Sequence, residues 1–264
     1  MAFLLKAVLG LSAVYLVLVA ALFFAQRSLI FPAPPGGAGA IPAGYDRISY
    51  ITSDGLLLKA GYKPASQGCP TILYFHGNGA DWQSSTIASR QLAASGYGVL
   101  AAEYRGYRGN PGTPSEAGIY RDARAAATWL FANGVPAEHI VLIGNSIGSG
   151  AATQLATELA PKALILISPF SSLEAAVGEK VRWAPAGWLL KDEFDNLAKL
   201  PEVKAPVLIL HGDADDLIGD WHSRALANAR PSAKLVIVPG AGHDLAWSGV
   251  AGAELSRFLS TMHR

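Results

Sequence analysis

The feature of this sequence that most limits its fold is a series of short apolar runs that alternate with longer segments of helical periodicity. The central runs contain few polar residues and lie at 71–75, 97–104, 140–143, 163–168, 206–210 and 234–238. Such runs are typical of strands buried on both faces of a sheet. Because strands and helices alternate, we expect an α/β fold with a mostly parallel sheet and helices on both faces.

Two earlier runs complete a predicted eight-stranded sheet. Residues 47–52 and 56–62 alternate between apolar and polar side chains, and a Ser-Asp-Gly turn lies between them. This pattern predicts an antiparallel hairpin at the sheet edge. Helices are predicted over 84–94, 115–131, 146–159, 221–228 and 245–261.

The segment 169–205 is too long for an ordinary connection between two strands. It carries several large apolar side chains, namely Phe170, Trp183, Trp188, Leu189, Leu190 and Phe194. We expect a small helical lid over the C-terminal edge of the sheet. The aromatic residues either contact an acyl chain or form the lid's own core, and both interpretations stay open.

The N-terminal stretch 7–25 carries no charge and predicts a membrane-spanning helix. At a rise of ~1.5 Å per residue it covers about 28 Å, close to the ~30 Å of a hydrocarbon core. A cleaved signal peptide would have a shorter apolar stretch that ends in a small-x-small site, whereas Phe23 and Phe24 are bulky. A buried soluble helix is the third interpretation. We therefore expect a retained single-pass anchor over residues 1–27, although the flanking charges do not indicate which side of the membrane the domain faces.

Residues 28–44 are rich in Pro, Gly and Ala and predict a stiff linker that lifts a globular domain, residues 45–264, off the bilayer. The charges nearly cancel, with a formal net charge of +1 and scattered basic residues. This distribution argues against a nucleic-acid partner. Cys69 is the single cysteine, so an internal disulfide is excluded.

The segment GNSIGSG, residues 144–150, follows a predicted strand and begins a predicted helix. It lacks the Lys-Ser/Thr end of a phosphate-binding loop, and the third glycine of a dinucleotide fingerprint is replaced by Thr153. The remaining pattern is Gly-x-Ser-x-Gly, a nucleophile elbow formed by Gly144, Ser146 and Gly148. Small flanking residues are needed there because the helix crosses close to the strand. Ser146 is therefore the predicted nucleophile.

A serine nucleophile needs a base, an orienting acid and donors for the oxyanion. His243 follows the last strand in a Gly-rich loop and is the predicted base. The acid is one of Asp213, Asp215 and Asp216 on a single loop. A metal site formed by these acids and the nearby His211 is a rival interpretation, but no pair of ligands at helical spacing supports it.

The oxyanion donors are predicted from the loop YFHGNGA and from the nucleophile elbow. The backbone N–H groups of Asn78 and Ile147 are the expected donors, since Ile147 directly follows the nucleophile. His76, in the same loop as Asn78, is expected to make structural hydrogen bonds.

Several longer motifs carry a family resemblance: QRSLIFPAPP, YFHGNG, YRGYRGNPGTPSEAGIYRDA, GNSIGSG, LLLKDEFDN, APVLILHGDADDLI and GAGHDL. The chain resembles serine hydrolases of the α/β-hydrolase fold, and among them the membrane-anchored group of Bem46-like proteins and the ABHD13 and ABHD17 types. The family's His-Gly-x-x-Asp pattern falls on His211, Gly212 and Asp215. The resemblance therefore implies Asp215 as the acid of a triad with Ser146 and His243.

The sequence departs from the family pattern in two places. Arg108 and Asn110 replace small residues in the loop YRGYRGNPG, which leaves the substrate contacts of that loop open. The cysteine-rich N-terminal region of the group's protein depalmitoylases is absent, so that role is not transferred.

We therefore expect a membrane-anchored acyl hydrolase that cleaves esters or thioesters of small molecules or lipids, with no metal or organic cofactor. A peptidase or amidase would use the same residues. A non-catalytic binding protein of the same fold is the third alternative, although such proteins usually lack a triad member.

Overall fold

The computed structural model describes residues 1–34, 36–37 and 39–262. Its sheet has eight strands in the order β1-β2-β4-β3-β5-β6-β7-β8. The strands are β1 (Asp46–Ile51), β2 (Leu57–Lys63), β3 (Thr71–Phe75), β4 (Gly98–Ala101), β5 (Ile140–Asn145), β6 (Ala163–Ile167), β7 (Val207–Gly212) and β8 (Lys234–Val238). β2 pairs antiparallel with β1 and β4, and the other pairs are parallel. The predicted mostly parallel sheet with an edge hairpin is confirmed.

The helices lie where the apolar periodicity predicted them, with two differences. They are α1 (Ala2–Ile30), α2 (Trp82–Ala88), α3 (Arg90–Ala94), α4 (Glu116–Ala132), α5 (Gly148–Glu158), α6 (Leu173–Lys180), α7 (Ala186–Leu189), α8 (Asn196–Lys199), α9 (Trp221–Ala229) and α10 (Gly249–Ser260). The predicted helix 84–94 is divided at Ser89, between α2 and α3. The predicted helix 245–261 is a short 3₁₀ turn followed by α10, because the Ser248 side chain caps a new helix by accepting from the Ala251 N–H.

Side chains of the central strands alternate between two apolar layers. Leu73 and Leu142 face the layer that includes α4 and α5, whereas Ile72 and Val141 face the layer that includes α3 and α10. All four are fully buried. Burial on both faces explains why these strands read as continuous apolar runs rather than as alternating ones.

The lid comprises α6, α7 and α8, and its aromatic residues divide into two groups. Phe170 and Phe194 are buried in the main core, and the Phe194 ring packs edge-on against Tyr120. Trp183 and Trp188 are 50% and 92% exposed. The lid's own core therefore contains neither tryptophan.

Helix α1 is long and apolar enough to cross a membrane, with a mean hydropathy of 2.6 over a window that is not buried by the rest of the protein. It extends to Ile30, three residues past the predicted end of the anchor at 27. Ile30 and the following Phe31 are buried in the main core. The linker is predicted to lift the domain off the bilayer, and the apolar side chains at its start pack on the domain.

A buried ion-pair network ties the hairpin to α4. The Arg105 guanidinium contacts Asp122 at 2.7 Å and Asp54 at 2.8 Å, and its backbone N–H also donates to Asp122. Burial raises the pKa of Asp122 more than the Arg105 hydrogen bonds lower it. The network holds the start of the loop that follows β4 close to the sheet edge.

Candidate active site

Ser146 lies in a tight turn between β5 and α5. Its φ of 52° is in the left-handed region, which is strained for a residue with a side chain. A Cβ atom on Gly144 would lie 2.5 Å from the Gly148 carbonyl oxygen, and one on Gly148 would lie 2.2 Å from the Phe75 carbonyl oxygen. Only glycine fits at either position, so the two predicted elbow glycines allow the close crossing of helix and strand.

The structure brings Ser146, His243 and Asp215 into one hydrogen-bonded line. Ser146 Oγ is 3.0 Å from His243 Nε2, and His243 Nδ1 is 2.7 Å from Asp215 Oδ2. Since an ionised carboxylate only accepts, Nδ1 carries the proton and Nε2 is free to accept from the serine hydroxyl. The line connects a hydroxyl to an imidazole and the imidazole to a carboxylate.

The carboxylate of Asp215 is held in its ionised form. Burial disfavours the charge, but hydrogen bonds from His211, from His243 and from the Ile218 N–H outweigh burial and lower the Asp215 pKa. The Leu217 N–H also donates to Asp215 Oδ1 at 3.0 Å. This environment keeps an acceptor facing His243 throughout the neutral pH range.

The other acidic residues of the same loop lie elsewhere. Asp213 accepts from the Gly240 N–H at 2.6 Å, and the Asp216 side chain is exposed. His211 Nε2 donates to the Ile218 carbonyl at 2.9 Å, so His211 supports the loop. Among residues 1–34, 36–37 and 39–262, no group of three potential ligands is arranged to hold a metal ion.

Two backbone N–H groups beside Ser146 are available as donors. Within the described part of the chain, neither the Asn78 nor the Ile147 N–H donates to another group. A Cβ atom on Gly77 would lie 3.3 Å from Ser146 Cβ, which shows how closely the loop after β3 approaches the serine. The sequence names the same two groups as oxyanion donors, and that role stays a prediction.

A buried ion pair supports the loop that contains Asn78. His76 Nδ1 donates to the Gly77 carbonyl at 2.8 Å, and Nε2 donates to Glu103 Oε1 at 2.6 Å. Burial opposes the imidazolium charge, but the Glu103 carboxylate outweighs it and raises the His76 pKa. The sequence predicts the hydrogen-bonding role of His76 but not its partner. A single glutamate within the apolar run 97–104 was the available signal.

The side chains of the two unusual residues of the loop YRGYRGNPG bind to neighbouring elements. Arg108 Nε donates to Asp81 Oδ2 at 2.7 Å, and the Asn110 side chain pairs with both backbone groups of Lys59. Neither side chain lines the cavity above Ser146. Their role is therefore to attach the loop to α2 and to β2.

A cavity of about 340 Å³ opens above Ser146 and lies between the lid and α1. Helix α1 contributes five of its lining residues, namely Leu22, Phe23, Gln26, Leu29 and Ile30. Among the described residues that line the cavity, Lys180 alone is charged. The sequence did not predict the contribution of α1, because an apolar membrane helix carries no sign that one face covers a site.

Residues 72–195 match the model of the alpha/beta hydrolase family. The uncharacterized protein Rv2307c of Mycobacterium tuberculosis is 37% identical over 227 residues, which cover 83% of this chain and 80% of that protein. Human alpha/beta hydrolase domain-containing protein 17B is 32% identical over 198 residues, which cover 72% of this chain and 66% of that protein.

The fold also matches solved structures. The esterase Pf2001 of Pyrococcus furiosus superposes with a TM-score of 0.68 at 19% identity, covering 86% of this chain and 98% of that one. At this identity the match describes the fold alone. Together with the family match and the relatives, it leads to one conclusion: this chain is a hydrolase-fold protein that belongs to the alpha/beta hydrolase family.

Proposed function

We propose that this protein is a membrane-anchored serine hydrolase that cleaves carboxylic ester or thioester bonds through an acyl-enzyme on Ser146. The observation that carries the proposal is the continuous line from Asp215 through His243 to Ser146, at the base of an apolar cavity. A surface serine would have neither the strained turn nor the paired base.

In the acylation step, Ser146 Oγ attacks the carbonyl carbon of the substrate. His243 Nε2 accepts the hydroxyl proton as the bond forms, and Asp215 stabilises the resulting imidazolium. The N–H groups of Asn78 and Ile147 donate to the oxyanion of the tetrahedral intermediate. Collapse of this intermediate breaks the bond to the leaving alcohol or thiol, which takes the proton from His243.

In the deacylation step, water attacks the acyl group on Ser146. His243 removes a proton from that water, and the same two N–H groups stabilise the second oxyanion. The proton then returns to Ser146 Oγ, and the carboxylic acid leaves. Atoms and protons balance without a metal ion or an organic cofactor.

The lining of the cavity favours an acyl substrate. It is apolar apart from a few groups and includes Ser146 and Ile147. Burial of an acyl chain contributes about 0.8 kcal/mol per methylene, so a longer chain is expected to bind more tightly until the cavity is filled. The anchor helix α1 supplies part of this surface, which supports a substrate taken from lipid.

The test uses the full chain in detergent micelles, because α1 lines the cavity. Turnover of p-nitrophenyl esters and acyl-CoA thioesters, from acetyl to palmitoyl, is compared with that of Ser146→Ala. We expect the variant to lose at least about a thousandfold in kcat. A fluorophosphonate probe is expected to label the wild type and Ser149→Ala, which changes a neighbouring serine, but not Ser146→Ala. Equal ester turnover by Ser146→Ala would contradict the proposal, and turnover restricted to peptide amides would assign a peptidase.

A further inference from the structure

Helix α1 contacts the lid far from the end at which it joins the domain. The hydroxyl of Tyr15 donates to the Trp183 carbonyl at 3.2 Å, and the two rings pack edge-to-face with centroids 6.1 Å apart. Tyr15 is at the middle of α1, which runs from Ala2 to Ile30. The lid therefore extends alongside about half of the predicted membrane helix.

The apolar stretch of α1 that could cross a bilayer extends past the contact with the lid. Residues 7–25 carry no charge and cover about 28 Å at ~1.5 Å per residue, close to the ~30 Å of a hydrocarbon core. Tyr15 lies within this stretch, and so do Leu22 and Phe23, which line the cavity. The lid residues that contact Tyr15 are therefore at the depth of the membrane.

The exposed surface of the lid suits contact with a membrane. We define the lid tip as residues 183–190. It presents Trp183, which is 50% exposed, and Trp188, which is 92% exposed. Tryptophan and tyrosine are enriched at membrane–water interfaces. Lys180 and Arg182 precede the lid tip and Lys191 follows it, so cations flank it on both sides, as expected beside anionic headgroups.

We propose that the lid tip is inserted in the same leaflet as α1, so that the cavity receives an acyl chain of a bilayer lipid sideways from the membrane. This inference rests on the proposed function, and it adds the route and the physical state of the substrate. Leu22 and Phe23 of α1 and Ala186 and Leu189 of the lid line the cavity between the two elements. An acyl chain that enters there remains in apolar surroundings on its way to Ser146.

The placement of the lid tip is tested by fluorescence in nanodiscs that contain brominated phospholipids. The full chain has six tryptophans, and none lies in α1. We expect brominated lipid to quench part of the emission, and Trp188→Phe to remove much of the quenched part. Trp129→Phe is the control, because Trp129 lies far from the lid. It packs on Tyr62 and is about 20 Å along α4 from Glu116, the residue of that helix that contacts the lid. Quenching that Trp188→Phe leaves unchanged would overturn the placement.

The route is tested by a charge at the exposed position. We expect Trp188→Glu to lower turnover of phosphatidylcholine and phosphatidylglycerol in vesicles by about tenfold, while turnover of soluble p-nitrophenyl butyrate stays within about twofold. Equal loss on both substrates, or no loss on either, contradicts lateral entry. Vesicle turnover that persists while Trp188→Glu converts a dimer to a monomer would show that a second copy covers the tip. If the wild type cleaves no ester, the proposed function fails, and the quenching result still decides the placement.

Discussion

The side-chain amide of Asn78 donates a hydrogen bond to the main-chain carbonyl of Ile30, the last residue of α1. Terminal carbonyls of a helix have no partner within the helix, so Asn78 satisfies one of them. The other end of the amide accepts from the Tyr107 hydroxyl at 3.1 Å. The residue whose N–H we propose as an oxyanion donor is thus held between α1 and the core.

We expect Asn78→Ala to lower kcat on soluble p-nitrophenyl butyrate about three- to tenfold, with KM nearly unchanged. The backbone N–H remains, but the two side-chain hydrogen bonds that position it, of about 1 kcal/mol each, are lost. Tyr107→Phe is the matched control, because it removes the other hydrogen bond to the same amide and leaves the contact with α1. A change confined to KM would assign Asn78 to substrate binding instead.

Gly148→Ala is expected to lower the free energy of unfolding by about 3 kcal/mol or more. The added Cβ would meet the Phe75 carbonyl oxygen at 2.2 Å, and a backbone atom of a central strand cannot move aside without disturbing the sheet. Gly178→Ala on α6 is the control, since no atom lies within 4 Å of its Cβ. That change is expected to stabilise the protein by about 0.5–1 kcal/mol. Similar unfolding midpoints in denaturant for both variants would contradict the steric argument.

The buried His76–Glu103 pair predicts that stability falls as the pH rises. Because the His76 pKa is raised on folding, its contribution is fully present below about pH 6.5 and is lost as the pH rises through the higher folded-state value. In Glu103→Gln the carboxylate is absent, and burial, which lowers the His76 pKa, is opposed only by the Gly77 carbonyl and the Asp81 charge, so we expect the dependence to weaken or reverse. Thermal unfolding midpoints between about pH 5 and 9 measure both slopes. A parallel profile for the two proteins would exclude an imidazolium at this position.

Arg105→Met is expected to lower the free energy of unfolding by about 3–5 kcal/mol, because it leaves the buried Asp122 without its cation. Arg121→Met provides the comparison. Arg121 contacts Asp54, which Arg105 also contacts, but its side chain is 46% exposed. Its loss is therefore expected to cost less than about 1 kcal/mol. Chemical denaturation of both variants measures the loss of unfolding free energy for a buried and for an exposed arginine. Equal losses would contradict the claim that burial of the ion pair decides its contribution.

Local patterns in the sequence were sufficient for most of the fold and for the proposed nucleophile and base. Continuous apolar runs predict strands buried on both faces, and the structure has them in place. Gly144, Ser146 and Gly148 form a recognisable turn because the strain and the close crossing are properties of consecutive residues. His243 was also predicted from its local position, because it follows directly after the last strand.

Local sequence patterns do not decide which of Asp213, Asp215 and Asp216 pairs with His243. Physical reasoning from the sequence left all three open, and only the resemblance selected Asp215. In the structure Asp215 faces His243 because the Leu217 and Ile218 N–H groups turn its carboxylate inward, while Asp213 accepts from Gly240 on the neighbouring loop. Such pairings depend on how two loops meet, which no single stretch of sequence contains.

The role of α1 is the clearest case of a decision made by the tertiary structure. Its composition determines that it is a helix apolar enough for a membrane, since that property is the sum of its own residues. The face that α1 presents to the lid depends on residues far away in the chain. Gln26 accepts from the Lys191 N–H, and Ile30 lines the cavity together with Asn78. Apolar side chains that face lipid and apolar side chains that face a cavity are alike in sequence, and only their neighbours in space distinguish them.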